Sequence, residues 1–230
     1  MDMLECGGGY KVILNSLPVQ HIRLDIFQPS MKKNLKIVVV GDGSCGKTSL
    51  IVAQAGGGFT EQYTPTAFDD YAIESLVNGK PKMLTVCDTA GEEEFNSLRP
   101  LSYPDADVFI VCYSVERAES MKHIRERWIP EIRHFCPNVP VLIVGNKKDI
   151  RSDIGRKSSR SENVEPAAVE LEDAEALARE VSSLPLIECS AKQRENIRLV
   201  FDTAIRAAVA YRSRRSNKVI QSIMKLKLVF

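Results

Sequence analysis

A chain of 230 residues that is 44% hydrophobic and 27% charged can bury one sizeable core, which argues for one domain with tails and against a disordered or membrane-embedded protein. Its net charge of +1 gives no general attraction to nucleic acid, although the last segment is locally basic. Six cysteines, Cys6, Cys45, Cys87, Cys112, Cys136 and Cys189, show no C-x-x-C pair or metal-like spacing and suit a reducing compartment. No apolar run approaches the roughly 20 residues of a membrane helix. Asp2 and Glu5 stand where a secretory leader would be basic, so a cytoplasmic location is expected.

Residues 1–34 contain Gly7-Gly8-Gly9, Pro18 and Pro29 and fit neither structural period, which predicts an extension outside the core, either a flexible arm or a product of start-site choice. The run Leu35 to Val40 reads as a buried strand that breaks into Gly41, Asp42, Gly43, Ser44, Cys45, Gly46, Lys47 and Thr48. That spacing, G-x-x-x-x-G-K-[ST], is a phosphate-binding loop. Its backbone N–H groups cradle phosphate oxygens, Lys47 reaches the outer phosphates and the Thr48 hydroxyl can hold magnesium. A helix from Thr48 to about Gln54 adds its positive N-terminal end.

Gly56-Gly57-Gly58 then supplies a hinge, and 59–70 reads as a polar loop. Strands over Tyr71 to Val77 and Met83 to Cys87 flank Asn78-Gly79-Lys80, a hairpin signal that makes them antiparallel. The second strand empties into Asp88-Thr89-Ala90-Gly91, at the carboxyl end where α/β sheets carry ligands. Asp107 to Tyr113 reads as a buried strand. Met121, Ile124, Trp128, Ile132 and Phe135 recur at helical spacing, with Trp128 expected in packing. Strands are expected over Pro140 to Gly145 and Leu184 to Cys189, and a closing helix over Asn196 to Tyr211. The pattern predicts a doubly wound α/β sheet of six strands, mostly parallel with one antiparallel edge strand, and helices on both faces.

Five motifs now stand in order: GDGSCGKT, TPT at Thr64 to Thr66, DTAG at Asp88 to Gly91, NKKD at Asn146 to Asp149 and SAK at Ser190 to Lys192. Together they resemble the Ras superfamily of small GTPases, a P-loop NTPase fold. FDDY, LRPLSYPDADVFIVCYS, the block from Arg127 to Pro140 and ECSAK are similar to the Rho/Rac family. The resemblance covers 35–211, with an insert near 151–166 where Rho-type proteins carry one, and leaves 212–230 as a basic tail.

The resemblance implies a magnesium-dependent switch that binds GTP and GDP, hydrolyses GTP and signals to effectors, with cytoskeleton-type regulation expected. Asp149 would accept from the guanine N1–H and 2-amino groups, which adenine cannot offer. Asn146 braces base and loops, the Lys147 stem packs along the base, and Ser190, Ala191 and Lys192 meet the guanine oxygen by backbone. Phe59 would lean on the base edge, and Ser49 and Tyr63 complete the nucleotide contacts. Thr48 and Thr66 are the implied hydroxyl ligands of magnesium, with Asp88 holding it through water. The implied catalytic set is Lys47, Thr66, Gly91 and Glu92, with Thr66 and the Gly91 N–H sensing the γ-phosphate. Effectors, exchange factors and activating proteins are expected at 59–71 and 91–103.

Several residues depart from the family pattern. Glu92 stands where the family carries a glutamine that orients the attacking water. An ionised glutamate only accepts hydrogen bonds and opposes the γ-phosphate charge, yet it could bind the water as a base. A hydrolysis-impaired module that stays GTP-loaded is therefore the alternative reading, while NKKD and SAK speak against a P-loop kinase or ATPase. A third reading of Glu92, pointing to solvent in an acidic run, stays open. Cys87 replaces a large aromatic used in choosing exchange factors. Cys45 is either a loop filler or a thiol activated by backbone N–H groups. The sequence ends in Leu228-Val229-Phe230 with no cysteine after Cys189, so no prenylation is expected as written. Arg212, Arg214, Arg215, Lys218, Lys225 and Lys227 are either a solvated tail or a weak contact with an anionic membrane.

Overall fold

The computed structural model describes residues 4–6, 10–12, 34–59, 68–77, 79–151 and 168–227. Its centre is the apolar run that precedes the glycine-rich loop. Leu35–Gly41 forms β3, flanked in parallel by β5 (Lys80–Thr89) and β6 (Val108–Ser114). β7 (Val141–Asn146) and β8 (Ile187–Glu188) continue the sheet in parallel beyond β6. On the other side, β4 (Phe68–Val77) runs antiparallel to β5. Val77 pairs with Lys80, and Gly79 takes φ +73°, as the tight hairpin demands. These six strands are the expected mixed sheet, although β8 is shorter than the expected 184–189.

Two short strands lengthen the sheet. β1 (Leu4–Cys6) and β2 (Tyr10–Val12) pair antiparallel, and Tyr10 to Val12 lies parallel to Asp70 to Ala72. The full order is β1-β2-β4-β5-β3-β6-β7-β8. Part of the N-terminal extension thus adds to the sheet instead of standing apart, and β4 is not the outermost strand. An unpaired β4 edge would leave a row of open backbone groups, and β2 satisfies part of it.

Every residue of β6 and β7 is buried, because both sheet faces carry helices. Side chains alternate between the faces. Ile37, Val39, Ile110 and Val144 meet Leu50 and Ile51 of α1 (Lys47–Gln54) and Val200, Phe201 and Ala204 of the last helix. Val38, Val40, Phe109, Val111 and Ile143 face Ile124, Trp128 and Ile132, together with Ala174, Leu177 and Ala178. The first three of those lie on one continuous helical stretch, α2 (Ala118–His123), a π-helical turn (Ile124–Trp128) and α3 (Ile129–Phe135). The other three lie on α4 (Leu171–Val181), a helix with no counterpart in the sequence reading.

The last helix, α5 (Ile197–Lys227), continues well past the expected end at Tyr211. Arg212 explains part of the extension. Its Nε and Nη2 donate to the Asp107 carboxylate at 2.6 Å, and the same carboxylate accepts from the Lys36 backbone N–H at 2.8 Å. Arg212 therefore ties the helix to the start of β3 and β6, and does not belong with the basic residues of a free tail. The proposed insert lies almost wholly outside the described residues; its first residue, Arg151, pairs with Glu188.

Candidate functional site

The carboxyl ends of β3, β5, β7 and β8 converge on one rim of the sheet, and the predicted motifs lie there. At the end of β3 the loop from Gly41 to Gly46 leads into α1. Gly41 and Gly46 have φ +144° and +94°, and a Cβ on Gly41 would lie 2.3 Å from the Cys112 carbonyl oxygen. Only glycine fits so close an approach. Lys47 is buried, and its ammonium donates to the Gly41 and Asp42 carbonyls at 2.8 Å, which holds it across the mouth of the loop.

Asp88, 1% exposed at the end of β5, accepts from the Thr48 hydroxyl at 2.6 Å. Gly91 then presses against the loop: a Cβ there would lie 2.3 Å from the Gly43 nitrogen and 2.5 Å from the Gly41 oxygen. Glu92 follows, and a Cβ on Gly43 would meet its Oε1 at 2.9 Å. Glu92 thus leans over the phosphate loop and does not point out with Glu93 and Glu94, both exposed.

The base-recognition motifs are cross-linked by hydrogen bonds. Asn146 Nδ2 donates to the Cys45 carbonyl at 2.9 Å, joining β7 to the phosphate loop. The Cys189 thiol donates to Asn146 Oδ1 at 3.1 Å, and the Ser190 hydroxyl donates to Asp149 Oδ1 at 2.6 Å. The Lys148 N–H reaches the Cys189 carbonyl at 3.0 Å. Lys147, at φ +65°, sends its ammonium to Glu116. Ala191 is half-buried and Lys192 exposed beside Ser190, and Ser49 is half-buried in the first turn of α1. Phe59 is 44% exposed. Tyr63 and Thr66 lie outside the described residues, so the structure does not place them.

Cys45 is fully buried, and desolvation raises its thiol above the ordinary value, outweighing the nearby Lys47 charge, which favours the loop-filler reading over an activated thiol.

Four residues at the site carry no motif and were missed from sequence. Arg99, fully buried, donates from Nε to the Ala90 carbonyl at 2.8 Å, from Nη2 to the Glu92 carbonyl at 2.9 Å and Asn96 at 3.0 Å, and from Nη1 to Glu131 at 2.9 Å. Its guanidinium lies 4.7 Å from the Trp128 ring centre, with Arg127 at 4.5 Å. Arg127 also reaches the Gly91 carbonyl at 3.3 Å. Asp42 accepts from Trp128 Nε1 at 2.9 Å and lies 2.8 Å from His123 Nδ1. Trp128 is buried, as the helical spacing predicts, but it also fastens the phosphate loop. Finally, Arg117 Nη2 donates to the Gly43 carbonyl at 2.8 Å. Arg99, inside the LRPLSY stretch, and Arg127, which opens the block from Arg127 to Pro140, lie in segments the sequence reading marked, but it gave neither a role.

Known proteins have related sequences. A family model described as the Ras family matches residues 36–210. The chain is also 45% identical over 185 residues to the Rho-related GTP-binding protein RhoB of Homo sapiens, and equally to those of Mus musculus and Rattus norvegicus, covering 80% of this chain and 94% of each relative. With the phosphate loop, DTAG, NKKD and SAK segments gathered at one rim, the chain belongs to the Ras superfamily as a Rho-type small GTPase.

Proposed function

We propose that the rim binds GTP and GDP with the base between Asn146, Lys147, Asp149 and Ser190 to Lys192 and the phosphates over Gly41 to Ser49, and that the chain hydrolyses GTP there as a switch. The observation that carries this reading is the Asn146 bond to the Cys45 carbonyl, which fixes the base-reading strand to the phosphate loop at a set distance. A nucleotide that satisfies one half is then held in register with the other.

Asp149 supplies the guanine selectivity, since its carboxylate pairs with two donors that adenine does not present in that arrangement. Phe59 leans on the base edge, and Tyr63 is a further nucleotide contact. Lys47 and the loop N–H groups neutralise the outer phosphates, and the Gly91 N–H and Thr66 hold the γ-phosphate. Loss of that phosphate releases both segments, so effectors, exchange factors and activating proteins read 59–71 and 91–103.

The Thr48 hydroxyl and Asp88 carboxylate are hard oxygen donors already in contact beside the loop, which fits magnesium, with Thr66 as the other hydroxyl. Magnesium bound there would neutralise phosphate charge. Glu92, leaning over Gly43, acts on the attacking water as an acceptor. The basic residues of 212–230 other than Arg212 make a weak contact with an anionic membrane surface. Among the described residues, no helix is long and apolar enough to cross a membrane.

Single-turnover phosphate release tests the reading, with GTP and ATP offered separately to the full chain, alongside Glu92→Gln. The expected result is release from GTP and not from ATP, with a Rho-family activating protein accelerating the Glu92→Gln variant more than the natural chain. Equal use of ATP would overturn the base assignment. GTP bound without phosphate release would overturn the switch and leave a permanently loaded interaction module.

A further inference from the structure

Gly43 is the point where two segments far apart in sequence touch the phosphate loop. The Gly91 backbone packs against its nitrogen, the Glu92 carboxylate lies over its α-carbon, and the Arg117 guanidinium donates to its carbonyl at 2.8 Å. Gly91 and Glu92 belong to the segment that meets the γ-phosphate in the reading above, so Arg117 stands at that same end of the nucleotide.

The support of Arg117 differs from that of an ordinary surface arginine. Its side chain is exposed, but its backbone is pinned at the start of α2. The Arg117 N–H donates to the Ser114 carbonyl at 3.0 Å, and the Arg117 carbonyl accepts from the Ser120 hydroxyl at 2.6 Å and the Ser120 N–H at 3.1 Å. Ser120 is itself buried. The neighbouring Glu116 holds Lys147, so this short loop is fixed between the base-reading and phosphate-binding segments. A guanidinium on a fixed stem, with several donors in a plane, can keep one bond to a carbonyl and turn another donor to a phosphate oxygen.

We propose that Arg117 is a catalytic residue supplied in cis, its guanidinium bridging the Gly43 carbonyl and the γ-phosphate as charge shifts during hydrolysis. This rests on the site reading given above. In the reaction, the water oxygen forms a bond to Pγ as the bond from Pγ to the β,γ-bridging oxygen breaks. The bonding pair leaves with GDP, and one water proton passes to solvent while the other stays on the inorganic phosphate. Negative charge grows on the bridging oxygen, and a fixed cation at that end lowers the barrier.

Arg117 also offsets Glu92. A carboxylate in place of the usual glutamine adds negative charge beside a polyanion, and a guanidinium on the same glycine compensates it. The two side chains therefore act as a unit. Removing Arg117 exposes the full cost of Glu92, and replacing Glu92 by glutamine makes Arg117 matter less.

The test measures single-turnover GTP hydrolysis and GTP dissociation for the full chain, Arg117→Ser, Arg117→Lys, Glu92→Gln and the Glu92→Gln/Arg117→Ser pair. Arg117→Ser should slow hydrolysis roughly ten- to a hundredfold, less than an enclosed arginine finger because the side chain is exposed, while GTP dissociation changes by less than about threefold. Arg117→Lys should recover only part of the rate, and added guanidinium ion should restore Arg117→Ser but not the natural chain. The serine substitution should cost less in the Glu92→Gln background. Unchanged hydrolysis in Arg117→Ser, or an equal loss in hydrolysis and GTP retention without guanidinium rescue, would overturn the proposal and leave Arg117 a brace for the loop. Failure of the natural chain to bind GTP would instead overturn the site reading, and this proposal with it.

Discussion

The two ends of the proposed nucleotide cleft are built differently. At the base end, Asn146, Asp149, Cys189 and Ser190 sit at or just beyond buried strands and bond to one another and to the Cys45 carbonyl. At the γ-phosphate end, Gly91 and Glu92 lead into two short 3-10 turns, Glu93–Phe95 and Arg99–Ser102, with Leu98 and Leu101 exposed. One buried side chain, Arg99, collects the carbonyls of that segment. Selectivity is thus assigned to a pre-formed lattice, and the switch to a segment held by few anchors that ligand contacts can outweigh. A switch needs that asymmetry, because a segment as cross-linked as the base end could not reorder when one phosphate leaves.

The largest break in this comparison comes from Asp149→Ala. Two charge-assisted hydrogen bonds to guanine disappear, each worth roughly 1.5–3 kcal/mol, so GTP affinity should fall about a hundred- to ten-thousandfold in a competition titration. Discrimination against ATP should collapse with it, while the thermal midpoint of the nucleotide-free protein falls less than for a break in the buried core, since the Ser190 bond that goes with the carboxylate is part-buried. A large fall in stability with affinity retained would mean that Asp149 is structural.

Arg99→Ala strikes the other end. It removes the charged donor from Glu131, which keeps the Tyr103 hydroxyl, and a donor from the Ala90 and Glu92 carbonyls, and it opens a void beside Trp128. Breaking a buried ion pair in this way costs about 3–5 kcal/mol. For a domain of this size, that lowers the thermal midpoint by roughly 6–15 °C, read by differential scanning calorimetry. The comparison is sharpened if hydrolysis falls while the guanine-to-adenine preference is kept, and broken if both ends fail together.

The base end was largely legible in the sequence, and the γ end only in part. NKKD and SAK are local strings whose chemistry is carried by the residues named in them, and the strands beneath them are plain apolar runs such as Val141 to Val144. Gly91 and Glu92 were legible for the same reason. Arg117, Arg127 and His123 were not, because each acts through a contact dozens of residues away; Arg117 and Gly43 are 74 positions apart. Arg99 reaches the nearby Ala90 and Glu92 carbonyls, but its buried ion pair is with Glu131, 32 positions on. No period or spacing encodes such a pairing. The helix α4 escaped notice because its buried stripe is short and two of its three residues are alanine, Ala174, Leu177 and Ala178, among acidic residues. The extension of α5 past Tyr211 depends on Arg212 finding Asp107, again a long-range event. Apolar patterning finds layers, motifs find ligands, and polar anchors between layers show only in three dimensions.

The smallest effect concerns the thiols that line both ends. Burial first, then the carboxylates of Glu188, Glu195 and Asp149, push the Cys189 thiol at the base end up to about 12. Burial first, then Asp70, push Cys87 on β5 up to about 12 as well. In the unfolded chain both ionise near 9.0. Below that pH each thiol is protonated in both states and contributes no pH dependence. Above it the unfolded state sheds protons that the folded state keeps, so stability falls with rising pH until the folded thiols ionise too. Each such thiol should cost about 1.4 kcal/mol per pH unit across that window. Urea unfolding of the GDP complex at pH 8 and pH 10 should therefore show a smaller alkaline loss for Cys189→Ala and for Cys87→Ala than for the natural chain. Only Cys189→Ala should also speed GDP release, because its thiol holds Asn146 Oδ1 at 3.1 Å. Equal nucleotide release from the two variants would mean that the base end is no more tightly coupled to its ligand than the strand that carries Asp88.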